Sequence, residues 1–346
     1  MDKISGGKPS SVDDLLETGL LDSWYLVCRD VDLGVKPLGL TRLGRQIVLW
    51  RDKAGRPQAI EDFCPHRGAR LSLGHVCEGE IACEYHGVQL DGEGVVTATP
   101  PQPGSRMVGR KLIQSYPAEE RHGAIWLYFS SRPLEGAPPP LRFPDEFGTG
   151  EWQGFLDIRS FGCNWQLLRD NQFDPAHGSF LHLGTHALRE GKKDADMAFE
   201  ETERGFVVWR QNQQGVNLDR TWLEHYENSG FWAITDIPYP AKEAGGLGRL
   251  FRFPTPIDRD NTLVWNYRMI RHTGWKRDAW RFLYRNRASD RGAEVLAQDA
   301  VALSAIPHGA LERENLLQCD VGVSRIRRLY RQAAQAQFDA LQAEAG

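Results

Sequence analysis

Two short segments of the chain each place a cysteine close to a histidine, Cys64-Pro65-His66 and Cys83-Glu84-Tyr85-His86. Together they form the pattern C-x-H-x16-C-x2-H, and thiolates and imidazoles bind zinc or the iron of iron–sulfur clusters. Structural zinc sites usually draw a cysteine pair and a histidine pair from separate loops, whereas here each loop supplies one of each. The pattern therefore favours a [2Fe–2S] cluster with both cysteines on one iron and both histidines on the other. A zinc site is the alternative.

A second group of possible metal ligands lies in the stretch Asp170–His182, which reads DNQFDPAHGSFLH. Its apolar residues have helical spacing, but His177 and His182 are five residues apart and lie on different faces of a regular helix. Pro175 and Gly178 predict a distorted helix, and a distortion can bring such side chains together. Taken alone, this stretch leaves metal binding and an ordinary polar surface equally open.

Both regions together resemble the Rieske non-haem iron oxygenases. The loops 64–68 and 83–87 are similar to the two ligand loops of a Rieske domain. Residues 171–182 fill every position of the N-x-x-D-x-x-H-x4-H signature of these enzymes. The resemblance covers the chain from about Trp24 to its C-terminal helix. The modest chain length is similar to that of the trimer-only branch, which contains phthalate-, vanillate- and dicamba-type monooxygenases and demethylases.

Respiratory Rieske proteins share the ligand pattern but carry an additional cysteine in each loop, and those two cysteines form a disulfide. The corresponding residues here are Ala69 and Tyr85, which argues against the respiratory class. Two other positions depart from the common C-P-Y-H-G-W form of the second loop, namely Glu84 and Val88. Glu84 adds negative charge near the predicted cluster, which should lower its reduction potential. Neither departure removes a ligand, but the family's mode of donor docking cannot be carried over.

The resemblance implies a complete set of metal ligands. Cys64 and Cys83 would hold the inner ferric iron of the cluster, and His66 and His86 would hold its outer iron. His177, His182 and Asp299 would hold a mononuclear Fe(II). Two histidines and one carboxylate leave positions open for dioxygen. Asp299 is predicted because the segment Val295–Val301 is similar to the family's acidic-residue-then-Asp element. Asp290 and Glu294 are the rivals, and each could equally be a solvated surface charge.

Asp174 and Asn171 are the predicted catalytic residues besides the ligands. In the family, the equivalent of Asp174 connects a histidine on the mononuclear iron to a Rieske histidine of a neighbouring subunit. Here it would connect His177 to His86, because a metal-bound imidazole needs an acceptor that fixes its orientation. Helical spacing of three residues would place Asp174 beside His177. Asn171 is expected either near the iron without binding it or hydrogen-bonded to nearby backbone. His75 and Cys77, which lie between the two loops, are interpreted as ordinary structural residues.

Composition limits the class of protein. The chain has 346 residues and a net charge of −4, so two domains are expected and neither nucleic acid nor a membrane is an expected partner. No apolar run reaches the length of a membrane span and Met1–Ser5 opens no signal peptide. The six cysteines show no disulfide-framework spacing, which fits a reducing cytoplasm. A cytoplasmic protein is predicted.

The elements predict an α+β chain with three parts. Residues 1–21 form a lead-in with a short helix at 12–17, residues 22–135 an all-β Rieske domain, and residues 136–346 a catalytic domain. Pro133–Pro140 is the predicted linker because it cannot sustain a helix or a ladder. The resemblance implies a helix-grip (START-like) catalytic domain with a curved antiparallel sheet and a C-terminal helix. Helices are predicted at 163–183 and 324–343, and strands at 24–28, 46–50, 95–98, 124–129, 205–211, 218–226, 231–237, 248–253 and 262–270.

The resemblance implies the terminal oxygenase of a multi-component system. It would use O2, and electrons from an NAD(P)H-dependent flavin reductase or ferredoxin, to hydroxylate or O- or N-demethylate an aromatic or ring-containing molecule. The chain has no Gly-rich dinucleotide motif of its own, so NAD(P)H would act only through that partner. A homotrimer is implied. The alternatives are an aromatic-ring cis-dihydroxylating dioxygenase and, in other classes, a Rieske electron carrier or a lipid-binding module.

The substrate is not determined by the sequence. Its pocket is expected to be lined by residues of roughly 200–290, where most of the tryptophans are equally suited to a sheet core. Four arginines in predicted strands could bind a substrate carboxylate, although a strand arginine is more often solvated: Arg220, Arg249, Arg252 and Arg268.

Overall fold

The structure is a computed structural model that describes residues 9–182, 194, 196–211, 220–238, 247–307 and 309–343, and only the backbone of residues 238, 247 and 287–291. It divides into two compact units. The described part of the first unit is Pro9 and Leu20–Leu141, and the second comprises Ser10–Gly19 and the chain from Arg142 onward. The predicted boundary near residue 135 and the predicted linker stay predictions.

In its described residues, the first unit contains ten short strands in three antiparallel sheets. In chain order the strands are β1 (Ser23–Arg29), β2 (Leu38–Arg42), β3 (Arg45–Arg51), β4 (Pro57–Glu61), β5 (His75–Cys77), β6 (Glu80–Ala82), β7 (Gln89–Leu90), β8 (Val96–Ala98), β9 (Ala118–Arg121) and β10 (Ala124–Phe129). The sheets have the orders β1-β10-β9, β2-β3-β4 and β5-β6-β7-β8. Single-turn 3-10 helices lie at Asp30–Asp32 and Leu71–Leu73.

One apolar core of this unit lies directly beneath the two cysteine loops. Its buried members come from the strands and from the loops themselves, and they include Val48, Trp50, Ile60, Leu71, Ile81, Leu90, Cys64, Cys83 and Val88. Trp50 also donates from its indole nitrogen to the Gly79 carbonyl at 2.9 Å. Burial of a Val, Leu or Ile side chain stabilises a fold by about 1.5–3 kcal/mol, so the packing of this core helps to hold both cysteines in position.

The second unit contains one seven-stranded antiparallel sheet of order β11-β17-β16-β15-β14-β13-β12. Its strands are β11 (Gln153–Phe161), β12 (Met197–Thr202), β13 (Gly205–Arg210), β14 (Thr221–Tyr226), β15 (Gly230–Pro238), β16 (Leu247–Pro256) and β17 (Thr262–Ile270). The α-helices found in the described segments are α1 (Val12–Thr18), α2 (Trp165–Gln172), α3 (Gly178–Leu181), α4 (Gly274–Leu283), α5 (Ser289–Ser304) and α6 (Val321–Ala343). A π-helical turn lies at Tyr284–Ala288, and 3-10 turns at Asp145–Phe147 and Ala310–Glu312. The α+β prediction with a curved antiparallel sheet and a C-terminal helix is confirmed.

The predicted single helix over Cys163–Leu183 is wrong in its continuity. The structure has α2 and α3 separated by a turn at 173–177, and Leu183 lies outside the described residues. Pro175 has no N–H to donate and disfavours the helical conformation of the residue before it, so the helix ends before it. Because of this break, His177 and His182 do not lie on one continuous helix.

Helices cover one face of the large sheet and aromatic side chains pack on the other. Val264 of β17 packs in a cluster with Leu168 of α2 and Leu303 of α5, which defines the helix-covered face. On the other face Phe147 contacts Trp232, with ring centroids 5.4 Å apart. In the described part of the chain, no helix combines the length and the apolar character that crossing a membrane requires.

Candidate metal centres

The two cysteine loops, residues 64–69 and 83–88, have the same backbone hydrogen bonds. In each loop the cysteine amide donates to the carbonyl five residues later, and the amide four residues later donates to the cysteine carbonyl, with N–O distances of 2.8 to 2.9 Å. The loops therefore form equivalent closed turns, although their histidines occupy different positions.

A glycine in the left-handed conformation closes each turn. Gly68 has φ +76° and Gly87 has φ +71°, a region that costs other residues about 1–2 kcal/mol. A β-carbon at Gly68 would also lie 2.9 Å from the Phe63 ring, and one at Gly87 would lie 3.2 Å from Pro100. Both positions therefore favour glycine for conformation, and Gly68 favours it for space as well.

The four predicted cluster ligands are divided between inside and outside. Cys64 and Cys83 are 2% and 1% exposed, and burial raises the pKa of the Cys64 thiol to about 11. His66 is exposed and His86 half-buried, with ring centroids 4.5 Å apart. Two buried thiols beneath two adjacent imidazoles fit a [2Fe–2S] cluster that has its sulfur-ligated iron inside and its histidine-ligated iron outside.

The residues between the loops take no part in this cluster of side chains. His75 begins strand β5, and its Nδ1 lies 3.4 Å from the carboxylate of Glu84, with both side chains largely exposed. Cys77 is half-buried at the end of the same strand. Glu84 is thus a solvated charge at the edge of its loop.

A second constellation lies in the second unit, where His177, His182 and Asp299 each offer a ligand atom and these atoms all lie within 4.8 Å of one another. The Asp299 Oδ1 atom is 3.6 Å from His177 Nε2 and 3.2 Å from His182 Nε2. His177 is the last residue of the α2–α3 turn, His182 directly follows α3, and Asp299 lies on α5. This donor set fits a two-histidine, one-carboxylate iron site.

Hydrogen bonds fix both imidazoles with Nε2 toward Asp299. The Nδ1–H of His182 donates to the Gln298 side-chain oxygen at 2.8 Å, and that of His177 donates to the Asp174 main-chain carbonyl. Because Nδ1 donates in both rings, Nε2 is the atom that faces Asp299, and it becomes a lone-pair donor when a metal replaces its proton. Gln298 was missed by the sequence reasoning, and its position next to the predicted ligand was the available signal.

Charge interactions already favour the ionised carboxylate. Burial raises the pKa of Asp299, but its hydrogen bond with His182 and the charges of both histidines outweigh this and leave the pKa below its usual value. Burial lowers the pKa of His182, while the hydrogen bonds to Asp299 and Gln298 outweigh it and leave that pKa raised. The site is therefore organised around a negative charge at Asp299.

The two predicted catalytic residues flank this constellation. Asn171 Nδ2 lies 3.2 Å from Asp299 Oδ1 and 3.4 Å from His177 Nε2. Asp174 Oδ2 lies 3.6 Å from His177 Nδ1, and its Oδ1 accepts a bond from the Ala176 amide at 2.9 Å. The proximity of Asp174 to His177 arises from the turn and not from the helix that the spacing predicted. The Asp174 side chain is 27% exposed.

The rivals of Asp299 do not share its position. Glu294 lies on the same helix with an exposed side chain, and the side chain of Asp290 lies outside the described residues. Sequence reasoning also missed the ion pair that ties α2 to α6, in which Arg327 Nη2 lies 2.5 Å from Asp170 Oδ2. Burial raises the pKa of Asp170 to about 6, against the opposing effect of Arg327.

Family comparisons match both units. Residues 23–117 match the Rieske [2Fe-2S] domain, and residues 161–336 match the vanillate O-demethylase oxygenase C-terminal domain. The vanillate O-demethylase oxygenase subunit of Pseudomonas sp. (strain HR199 / DSM 7063) is 38% identical over 220 residues, which are 63% of this chain and 59% of that protein. The oxygenase component of dicamba O-demethylase from Stenotrophomonas maltophilia is 33% identical over 194 residues, 55% of this chain and 53% of that protein. The chain thus spans less than two thirds of the length of these relatives.

Solved structures show the same fold. The crystal structure of dicamba monooxygenase bound to dicamba has a TM-score of 0.68 at 22% identity, covering 92% of this chain and 98% of that chain. A carbazole-bound oxygenase in complex with ferredoxin, from carbazole 1,9a-dioxygenase, has a TM-score of 0.72 at 18% identity, covering 94% and 92%. The resemblance read from the two ligand patterns is confirmed: the chain belongs to the Rieske non-haem iron oxygenases, and it joins a Rieske [2Fe–2S] domain to a C-terminal domain of the vanillate O-demethylase type.

Proposed function

We propose that the protein is the terminal oxygenase component of a multi-component system, and that it O-demethylates or hydroxylates an aromatic or ring-containing small molecule. The observation that carries the proposal is the convergence of His177, His182 and Asp299 in a chain that also holds a Rieske domain. An electron carrier needs the cluster loops alone, and a lipid-binding module needs neither constellation. The relatives named above include two O-demethylase oxygenase components, which favours demethylation.

The net reaction balances with two electrons from a partner. Substrate, O2, two electrons and two protons give hydroxylated substrate and water, and a hydroxylated O-methyl group then leaves as formaldehyde to give the free hydroxyl compound. When bound at the two-histidine, one-carboxylate site, iron would supply the reductive activation of O2. Cys64, Cys83, His66 and His86 would hold the cluster that stores the electron.

The protein's own residues would orient and isolate the iron site. The Gln298 amide oxygen and the Asp174 carbonyl hold the two imidazole rings with Nε2 inward. Asp299 supplies the negative charge, and Asn171 donates to its Oδ1 atom. With three ligands from the protein, a bound iron would have coordination positions left for O2.

Electrons would reach this site from outside the chain. Solved structures of similar fold include oxygenase–ferredoxin complexes, which supports a ferredoxin, alone or with a flavin reductase, as the donor. We propose a cytoplasmic homotrimer in which Asp174 connects His177 to His86 of a neighbouring subunit. The partly exposed carboxylate of Asp174, beside His177, supports this role.

The experiment is anaerobic iron and sulfide quantitation, followed by electron paramagnetic resonance and oxygen uptake. The proposal predicts about three iron atoms and about two acid-labile sulfides per chain. Methoxyaromatics, aromatic carboxylates, N-methyl compounds and steroids form the first substrate panel. A cis-diol product would identify a dioxygenase instead. About two irons per chain without substrate-dependent oxygen uptake would identify an electron carrier, and a colourless protein that holds only zinc would refute both readings.

A further inference from the structure

Arg252 lies on the helix-covered face of the large sheet. It pairs with Asn266 across strands β16 and β17, and cross-strand partners share a face. Val264, two residues from Asn266, packs against Leu168 of α2 and Leu303 of α5. Side chains alternate between the faces of a strand, so Arg252 and Asn266 project toward the helices that carry the predicted iron ligands.

The polar contacts of Arg252 are incomplete. Its Nη2 donates to Thr235 Oγ1 at 2.7 Å, and Thr235 also bonds to Thr221 at 3.0 Å. The Nε–H of Arg252 is buried and makes no hydrogen bond to the described residues, and the side-chain oxygen of Asn266 is likewise buried and unbonded within that part of the chain. The Arg252 residue as a whole keeps some accessible surface. It therefore carries an unused donor on the sheet face that the helices cover.

No acidic partner neutralises this guanidinium within the described residues. Burial lowers the pKa of Arg252 to about 10, and the charge of Asp299, the main opposing influence, does not reverse the shift. Arg169 and Arg268 are positive neighbours that lower the same pKa further. The acidic neighbour of Arg252, Asp299, is a predicted iron ligand. Among the described residues, Arg252 therefore has no carboxylate that is available to it alone.

Arg249 shows how a structural arginine of the same strand is satisfied. It lies on the opposite face, where its Nε donates to Asp236 at 2.8 Å and its Nη1 to Glu146. Within the part of the chain that the structure describes, the side chain of Arg252, three residues later, hydrogen-bonds only to the hydroxyl group of Thr235. A guanidinium prefers two parallel donors to one carboxylate, and Arg252 has Nε free for that geometry beside the hydroxyl of Thr235.

We propose that Arg252 is a specificity-determining residue that binds a carboxylate group of the substrate, with Thr235 and Asn266 as its polar neighbours. The inference rests on the proposed function and names its substrate class, an aromatic carboxylic acid. The acid group would be held at the sheet, and the remainder of the molecule would extend toward the helices that bear His177, His182 and Asp299.

The test is equilibrium binding by calorimetry to the holoenzyme under anaerobic conditions. The probes are benzoate, meta-methoxybenzoate and phenylacetate, each paired with its uncharged amide. We expect the wild-type protein to bind at least one acid about 10-fold or more tightly than its amide, and Arg252→Gln to weaken the acid about 10- to 100-fold while leaving the amide nearly unchanged. Arg252→Lys keeps the positive charge but loses the two parallel donors of the guanidinium group. Its affinity for the acid should lie between the affinities of the wild type and Arg252→Gln.

Arg220→Gln is the matched control, because Arg220 is 43% exposed and stacks on Trp209. It should leave both affinities unchanged. Equal losses for acid and amide in Arg252→Gln, or no preference for any acid in the wild type, would overturn the assignment. Thermal unfolding identifies a misfolded Arg252→Gln, in which case Arg252→Lys and Thr235→Val decide the question.

The outcome is separable from the proposed function. An acid preference that depends on Arg252 stands even where the protein consumes no oxygen, since binding is measured without turnover. Conversely, substrate-dependent oxygen uptake with neutral methoxyaromatics would support the oxygenase while the carboxylate site fails.

Discussion

The two candidate metal centres differ in the sequence separation of the residues that form them. The cluster loops begin at Cys64 and end by Val88, and each is closed by its own backbone hydrogen bonds and a left-handed glycine. In the second centre, 116 residues separate His182 from the Gln298 that orients it. The first centre is therefore a local structure seated on a core, whereas the second exists only when α5 packs against α2 on the sheet.

The largest expected effect comes from removing a local ligand. Cys83→Ser should abolish the cluster, its colour and all turnover, because a serine oxygen poorly replaces a thiolate on iron. Iron content should fall to about one atom per chain, since the second centre depends on other elements. Metal analysis and visible spectroscopy measure this. Cys77→Ser is the control and should retain the visible spectrum of the cluster. Loss of that spectrum in Cys77→Ser would contradict the assignment of the ligands.

Asp299→Ala tests the centre that packing assembles. The variant should lose the mononuclear iron, and its activity should fall by more than about 100-fold. The reason is that Asp299 is the one carboxylate among the predicted ligands of this buried site. The cluster spectrum should be unchanged. Glu294→Gln, exposed on the same helix, should behave as wild type. A Glu294 variant that loses iron while Asp299→Ala keeps it would reverse the choice of ligand.

Asp174→Ala separates the two centres functionally. Both should keep their iron, while single-turnover oxidation of the reduced cluster in the presence of substrate and O2 should slow by about 10- to 100-fold or more. Rapid-mixing spectroscopy follows the cluster directly. Asp278→Asn, an exposed aspartate, serves as the control. Full-rate cluster oxidation in Asp174→Ala would exclude the proposed connection between centres.

Gln298→Leu should weaken iron binding at the second centre by about 10- to 100-fold, because His182 loses the acceptor that fixes its ring. Titration of iron into the metal-depleted protein measures the affinity. Gln335→Leu on α6, where the side chain is exposed, is the matched control. Unchanged affinity in Gln298→Leu would show that burial alone orients His182.

Gly68→Ala should have the smallest effect, on stability more than on chemistry. The left-handed conformation costs about 1–2 kcal/mol for alanine, and the new methyl group must also displace the Phe63 ring at 2.9 Å. Gly55→Ala is a matched control, since Gly55 has φ +77° and open space around it. Denaturant unfolding should show a larger loss of unfolding free energy for Gly68→Ala. Equal losses would mean that the ring moves freely.

Local patterns predicted much of this fold. Strands β10 and β17 have the predicted ends, and the C-terminal helix begins three residues earlier than expected, because alternation and helical spacing are properties of neighbouring residues. The α2–α3 break was visible only as a distortion at Pro175. Strands β5 to β7 are two or three residues long, too short for a periodic pattern to identify.

The same division holds for the sites. The cysteine–histidine spacing and the signature run at 171–182 predicted the family, which is confirmed, and every proposed ligand except Asp299. The selection of Asp299 over Glu294, the role of Gln298 and the isolation of Arg252 among four arginines were decided by tertiary structure. The reason is physical. A sequence spacing constrains only side chains that are close together along the chain. Packing decides which face of a helix meets which face of a strand when more than a hundred residues lie between them.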